Sequence, residues 1–259
     1  MDSAPDDLAL LRLYLEWGAD EAHADSPVDR FRPTPAPPPA APATMLRRDA
    51  PPALRASPAA APARAQALAA ACGTLEELRA ALEGFDGCLL RATATHTVHP
   101  EGDPASGLVL VGEAPATEDD RSGRLFSGPQ GALLDRMLGS IGLDRGRVLL
   151  ATLVPWRPPG SRAPTEAEVQ ACLPFLLRRL ELARPRRLVL LGGAAAKALT
   201  GGAESIRRLR GKWQQAAVPG LDAPVPALPL LPLDMLRSAA AKRDTWSDLI
   251  LLRRALDAG

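Results

Sequence analysis

Three short apolar runs constrain this chain more than any other feature: LVLV at residues 108–111, VLL at 148–150 and LVLL at 188–191. None alternates with polar residues. Each therefore has to bury both of its faces, as strands in the middle of a parallel sheet do. The first run stops at Gly112 and the third at Gly192 and Gly193, so the chain turns sharply where each strand ends. The segments between them have helical spacing. Leu133, Leu134, Met137, Leu138 and Ile141 form one stripe, ended by Gly142. Val169, Cys172, Leu173, Leu176 and Leu180 form another, behind Thr165 and Glu168 at capping-box spacing. An alanine-rich helix at 194–199 follows the third strand. A fourth strand is expected at 225–231, where Pro226, Pro229 and the following Pro232 restrict its pairing. Strands alternating with helices imply an α/β fold, a three-layer sandwich around a central, mainly parallel four-stranded sheet.

The flanking sequence divides the chain. Leu8, Leu11 and Leu15 give residues 6–17 an apolar helical face, so 1–25 reads as an N-terminal amphipathic helix that packs on the main domain or on a protein partner. Residues 26–64 are rich in proline and alanine, the composition of an extended linker. The folded domain is assigned to 65–259. Within it Thr74 and Glu77 form a second capping box, and Leu75, Leu78 and Leu82 follow at helical intervals up to Gly84. Trp246, Leu249, Leu252 and Leu256 mark a last helix at 241–258.

Composition narrows the setting. The net charge of +1 neither demands nor excludes a nucleic acid partner, and the cations are mostly arginine, with lysine only at Lys197, Lys212 and Lys242. No apolar run approaches the roughly 20 residues that span a membrane. The three cysteines, Cys72, Cys88 and Cys172, form no close metal-binding pair and suit a reduced, cytoplasmic protein. A monomer is expected.

The stretch after the first strand, GEAPATEDDRSGRLFSGPQG, has the densest chemistry. Glu113, Glu118, Asp119 and Asp120 precede a glycine-bounded turn that contains Phe126. In an open α/β sheet, ligands bind at the carboxyl ends of the strands, where this loop lies. The segment IRRLRGKW carries Arg207, Arg208, Arg210 and Lys212, which suits phosphate contact or a solvated loop.

Four segments in order resemble the uracil-DNA glycosylase superfamily, and its bacterial family 4 branch in particular. GEAPATEDDRSGRLFSG resembles the first family motif, PWRPPGSRAPTEAE the second, and RLVLLGGAAAKAL the strand–glycine–helix element. LPLDMLRSAAAKRDTWSDL resembles the last motif and terminal helix. The resemblance implies hydrolysis of the N-glycosidic bond of deoxyuridine in uracil-containing DNA, with the nucleotide flipped out of the stack. It makes Glu113, Asp119 and Thr152 candidates for catalysis. Gly112, Ala114, Phe126, Thr152 and Leu231 become candidates for base binding, with Phe126 as the stacking platform. The candidates for DNA contact are Arg157, Arg162, Arg208, Arg210, Lys212 and Arg237. Glu118 and Asp120 read as solvated loop carboxylates.

The sequence departs from the family at six positions. Thr152 replaces an expected asparagine, and the chain contains no asparagine anywhere. Leu231 replaces an expected histidine, and His23, His96 and His99 all precede the first motif. Neither replacement matches the hydrogen-bonding capacity it displaces, so weakened or lost activity is expected, the alternative being an inactive glycosylase fold that binds DNA or a protein. Ala116 and Leu125 replace a glycine and a proline. Family 4 members hold a four-iron cluster on four cysteines; only Cys88 and Cys172 remain, with Phe85 and Trp156 at the other two positions, so no cluster and no metal is expected. Cys72 is a poor third thiol.

Overall fold

The computed structural model describes residues 60–258. The helix expected at 6–17 and the linker up to residue 59 lie outside the described residues. Helix α1 (Ala61–Ala71) begins ahead of the boundary read at residue 65, inside the alanine- and proline-rich composition assigned to the linker. Its proline sits in the first turn, where the missing N–H costs nothing, and alanine is the strongest helix former. Helix α2 (Leu75–Gly84) opens on the expected capping box: Thr74 Oγ1 accepts the Glu77 N–H at 3.1 Å, and Glu77 Oε2 accepts the Thr74 N–H at 3.3 Å.

The sheet has six strands, not four. They are β1 (Glu101–Gly102), β2 (Leu108–Gly112), β3 (Leu149–Thr152), β4 (Arg187–Leu191), β5 (Gln214–Ala216) and β6 (Val225–Leu230), in the order β1-β3-β2-β4-β6-β5. The four expected strands pair in parallel as β3-β2-β4-β6. The two additional strands are short antiparallel edges, β1 on β3 and β5 on β6. Strands of two and three residues are too brief to leave a period-two pattern, which is why the sequence did not announce them. With β5 outside it, β6 is an interior strand despite Pro226 and Pro229, which lie opposite Gln215 and Leu190. Each proline removes one N–H from the ladder and leaves the carbonyl free to accept.

Successive residues of the central strands serve opposite faces. Val109, Val111, Leu188 and Leu190 join a core with α1, α2, α5 (Glu166–Ala183) and α6 (Gly193–Thr200). Leu108, Leu110, Val189 and Leu191 join a second core with α4 (Gly128–Ser140) and α8 (Ala239–Asp257). Two further short helices, α3 (Thr117–Ser122) and α7 (Ile206–Leu209), follow β2 and α6. Helices thus cover both faces of the sheet, giving the three layers expected. The loops at the carboxyl ends of β2, β4 and β6 open on one edge of the sandwich.

Candidate active site

A cavity of about 650 Å³ occupies that edge. Gly112 to Glu118 form one wall, Phe126, Ser127, Pro129 and Gln130 another. Ser161 to Pro164, Leu191 and the segment holding Pro232, Leu233, Asp234 and Arg237 complete it. The Phe126 ring lies against Gly112 so closely that a Cβ there would stand 3.0 Å from the ring, so glycine at this position lets the aromatic reach the end of β2.

Glu113 lines the cavity. Its Oε1 accepts the Ala194 N–H at 2.7 Å, at the N-terminus of α6. Burial raises its pKa, the Ala194 N–H opposes that shift, and Asp234 across the cavity adds to it. The carboxylate fits only because Gly192 lacks a side chain: a Cβ there would meet Glu113 Oε1 at 2.3 Å.

Asp119 is 3% exposed and does not line the cavity. Its two oxygens accept the N–H groups of Ala116 at 3.0 Å and Ser127 at 2.6 Å, which ties the first turn of α3 to the turn that carries Phe126. Asp120 is buried, contrary to the solvated loop position expected. It accepts from Thr95 N–H at 2.7 Å, His96 N–H at 3.1 Å and the Thr95 hydroxyl at 3.2 Å. An acidic run on one helical turn has to split its directions, and here two of its carboxylates point inward to anchor loops. Glu118 stays partly exposed, lines the cavity and pairs with Arg121 at 3.2 Å.

The other candidates separate into those at the cavity and those away from it. Gly112, Ala114, Phe126, Arg162 and Arg237 line it. Thr152 neighbours Gly112 in the sheet, yet its hydroxyl donates to Val154 O at 2.9 Å and the residue is not part of the lining. Leu231 is 0% exposed and belongs to the core shared with α4 and α8. Arg157 donates to Ser161 Oγ at 3.1 Å; Arg162 makes a fork to Glu168 at 2.8 and 2.6 Å. That guanidinium pulls the Glu168 pKa down to about 2. Arg208 and Lys212 are exposed. Arg210 instead is tied into the fold, donating to both oxygens of buried Asp248 at 3.0 and 2.9 Å.

Sequence reasoning missed Arg145. It donates to the carbonyls of Leu125 at 3.0 Å and Phe126 at 2.5 Å, with its Nε on Asp135 at 2.6 Å. No local pattern marks it, because an arginine in a polar turn is the ordinary occupant of such a position. Asp234 was missed for the same reason.

The residues around Cys88 and Cys172 do not fit a four-thiolate cluster. These two thiols are buried, free and part of one apolar core cluster. At the other two positions Phe85 and Trp156 are each 1% exposed. Phe85 packs against Phe175 with ring centroids 5.1 Å apart, and Trp156 Nε1 donates to Thr97 Oγ1 at 2.9 Å. Cys72 donates to Leu68 O at 3.2 Å at the end of α1. Among the described residues, no three His, Cys, Asp or Glu side chains are grouped to hold a metal ion. Also among the described residues, no helix is long and apolar enough to cross a membrane.

Comparison with known proteins gives a consistent set of relatives. The sequence profile of the Uracil DNA glycosylase superfamily matches residues 99–250. A Type-4 uracil-DNA glycosylase of Pyrobaculum aerophilum is 34% identical over 181 residues, which are 68% of this chain and 92% of that protein. The Type-4 uracil-DNA glycosylase of Thermotoga maritima is 38% identical over 125 residues, 48% of this chain and 65% of that protein. That of Archaeoglobus fulgidus is 43% identical over 110 residues, 42% of this chain and 55% of that protein.

Proposed function

Because the chain belongs to the uracil-DNA glycosylase superfamily, we propose that it hydrolyses the N-glycosidic bond of deoxyuridine in DNA, as a base-excision repair hydrolase. The nucleotide is extruded from the stack and its base enters the cavity at the carboxyl edge of the sheet. The observation that carries this reading is the cavity itself: an aromatic ring, Phe126, lies against Gly112, and the half-buried carboxylate of Glu113 faces the same space. Phe126 provides the face on which a flat base stacks. Cleavage leaves positive charge on the sugar and negative charge on uracil. An ionised Glu113 favours the first and orients an attacking water.

The departures lower the expected rate. Thr152 donates to its own loop and Leu231 is core, so neither offers a donor to a uracil oxygen. One such donor is worth about 2.7–4 kcal/mol of barrier. The second reading, a glycosylase fold that binds DNA or a protein without cleaving, is favoured by that same loss at both positions.

Release of free uracil from single- and double-stranded deoxyuridine oligonucleotides separates the two. No product at large enzyme excess rejects cleavage of this substrate. Thr152→Asn with Leu231→His should raise the rate if missing donors limit it; an unchanged rate in folded protein shows that side chains at these two positions do not reach the base. Arg157, Arg162, Arg208, Lys212 and Arg237 are proposed to meet DNA phosphates. The protein is proposed to act as a cytoplasmic monomer without an iron–sulfur cluster. Stoichiometric iron and sulfide in anaerobically purified protein would overturn the last point. A protein partner for the segment at 1–25 is part of the same proposal.

A further inference from the structure

Phe126 holds a backbone conformation that a phenylalanine rarely adopts, with φ at +50° in the left-handed region. Nothing in the residue itself favours that state, so its surroundings must impose it. Charged side chains from separate parts of the chain do so. Glu101, at the start of β1, accepts the Leu125 N–H at 3.1 Å. Asp119, in α3, accepts the Ser127 N–H at 2.6 Å. Arg145, from the turn before β3, takes the carbonyls of Leu125 and Phe126, while Asp135 on α4 fixes its Nε. Gly131 leaves room for the result: a Cβ there would stand 1.7 Å from the Phe126 carbonyl oxygen.

We propose that Arg145 is a positioning residue for base capture, holding Phe126 in the left-handed turn that lays its ring against Gly112. This rests on reading the cavity as the base pocket. Arg145 does not line that cavity, so it acts only through the Leu125–Phe126 carbonyls. A guanidinium suits the task because its planar fork reaches two carbonyls and a carboxylate at once; a lysine ammonium keeps the charge but not the fork.

Two measurements on the full chain test this. The first is hydrogen exchange at the Leu125 and Ser127 amides, which does not depend on activity. Arg145→Ala should speed exchange there about tenfold or more, with Arg145→Lys in between and the amides of β2 unchanged. The second is a double-mutant cycle on uracil release. Arg145→Ala alone should lower kcat/KM about tenfold or more, and in a Phe126→Ala background it should have little further effect. Unchanged exchange at 125–127, or losses that multiply in the double variant, would overturn the proposal. An unmutated protein that neither releases uracil nor prefers deoxyuridine oligonucleotides would instead defeat the base-pocket reading on which it rests.

Discussion

Gly192→Ala tests the site at its tightest contact. Gly192 has φ +106°, and an added Cβ would stand 2.3 Å from Glu113 Oε1, 2.6 Å from its Cδ and 2.9 Å from its Cγ. Comfortable contacts between such atoms are about 3.5 Å, so the carboxylate has to retreat roughly 1 Å. That movement breaks the 2.7 Å bond from the Ala194 N–H and leaves the first turn of α6 without its acceptor. With ψ at 166°, this is a backbone region that essentially only glycine enters, and it costs about 1–3 kcal/mol for an L residue. The lost charge-assisted bond adds about 1.5–3 kcal/mol. On the role proposed for Glu113, a displacement of about 1 Å should lower turnover about 100-fold. The assay is single-turnover uracil release with enzyme in excess, read beside a denaturant unfolding curve. In a Glu113→Ala background the clash disappears, and Gly192→Ala should then cost only the backbone part. A folded Gly192→Ala protein that keeps the full rate and stability, or that loses as much without Glu113 as with it, would refute the reasoning.

Glu113 also predicts a pH dependence. Burial raises its pKa, so if the ionised form is needed, the acid limb of the rate profile should lie above the pH of an ordinary carboxylate. Glu113→Gln should remove that limb. A carboxylate raised on folding contributes stability that is present at low pH and lost as pH rises through its folded pKa, so Glu113→Gln should also stabilise the protein near neutrality. Glu168 has the opposite sign: held at about 2 by Arg162, it contributes stability above its ordinary pKa of 4.5 that is lost as pH falls toward about 2. Acid titration of the unfolding midpoint should show a shallower fall in Arg162→Ala. In the basic segment, Arg208→Ala and Lys212→Ala should each reduce the slope of log affinity against log salt by about 0.7–0.9, if each meets a phosphate. Arg210→Ala should leave Asp248 buried without its partner and lower stability by about 3–5 kcal/mol, which unfolding curves measure.

The parts of the fold that the sequence made legible are those fixed by local patterns. The apolar runs at 108–111 and 188–191 became β2 and β4, and Thr165 with Glu168 caps α5 as their spacing indicated. The edge strands β1 and β5 depend on pairing with distant residues, which no local pattern encodes. The same division runs through the site. Phe126 and Glu113 could be named because they sit in a motif directly after a strand. The direction of a side chain could not: Asp119 and Asp120 turn inward to tie loops, and Arg210 reaches a helix that is 38 residues away along the chain. Those outcomes follow from which backbone groups lack partners in the assembled loops. Arg145 was invisible for that reason, since its role exists only once the turn around Phe126 has formed.

The cavity draws its walls from stretches near residues 112–118, 126–130, 158–164 and 232–237. The last of these follows β6, which pairs with β4 and β5. A chain emerging in order can pair β2, β3 and β4 well before that segment exists, but it has no enclosed pocket until β6 docks. Such non-local closure is the slow part of folding for a parallel sheet. Incomplete or C-terminally clipped copies would therefore retain exposed cations without a complete cavity. On the proposed function, such copies would hold a phosphate backbone but have nowhere to draw a base from it.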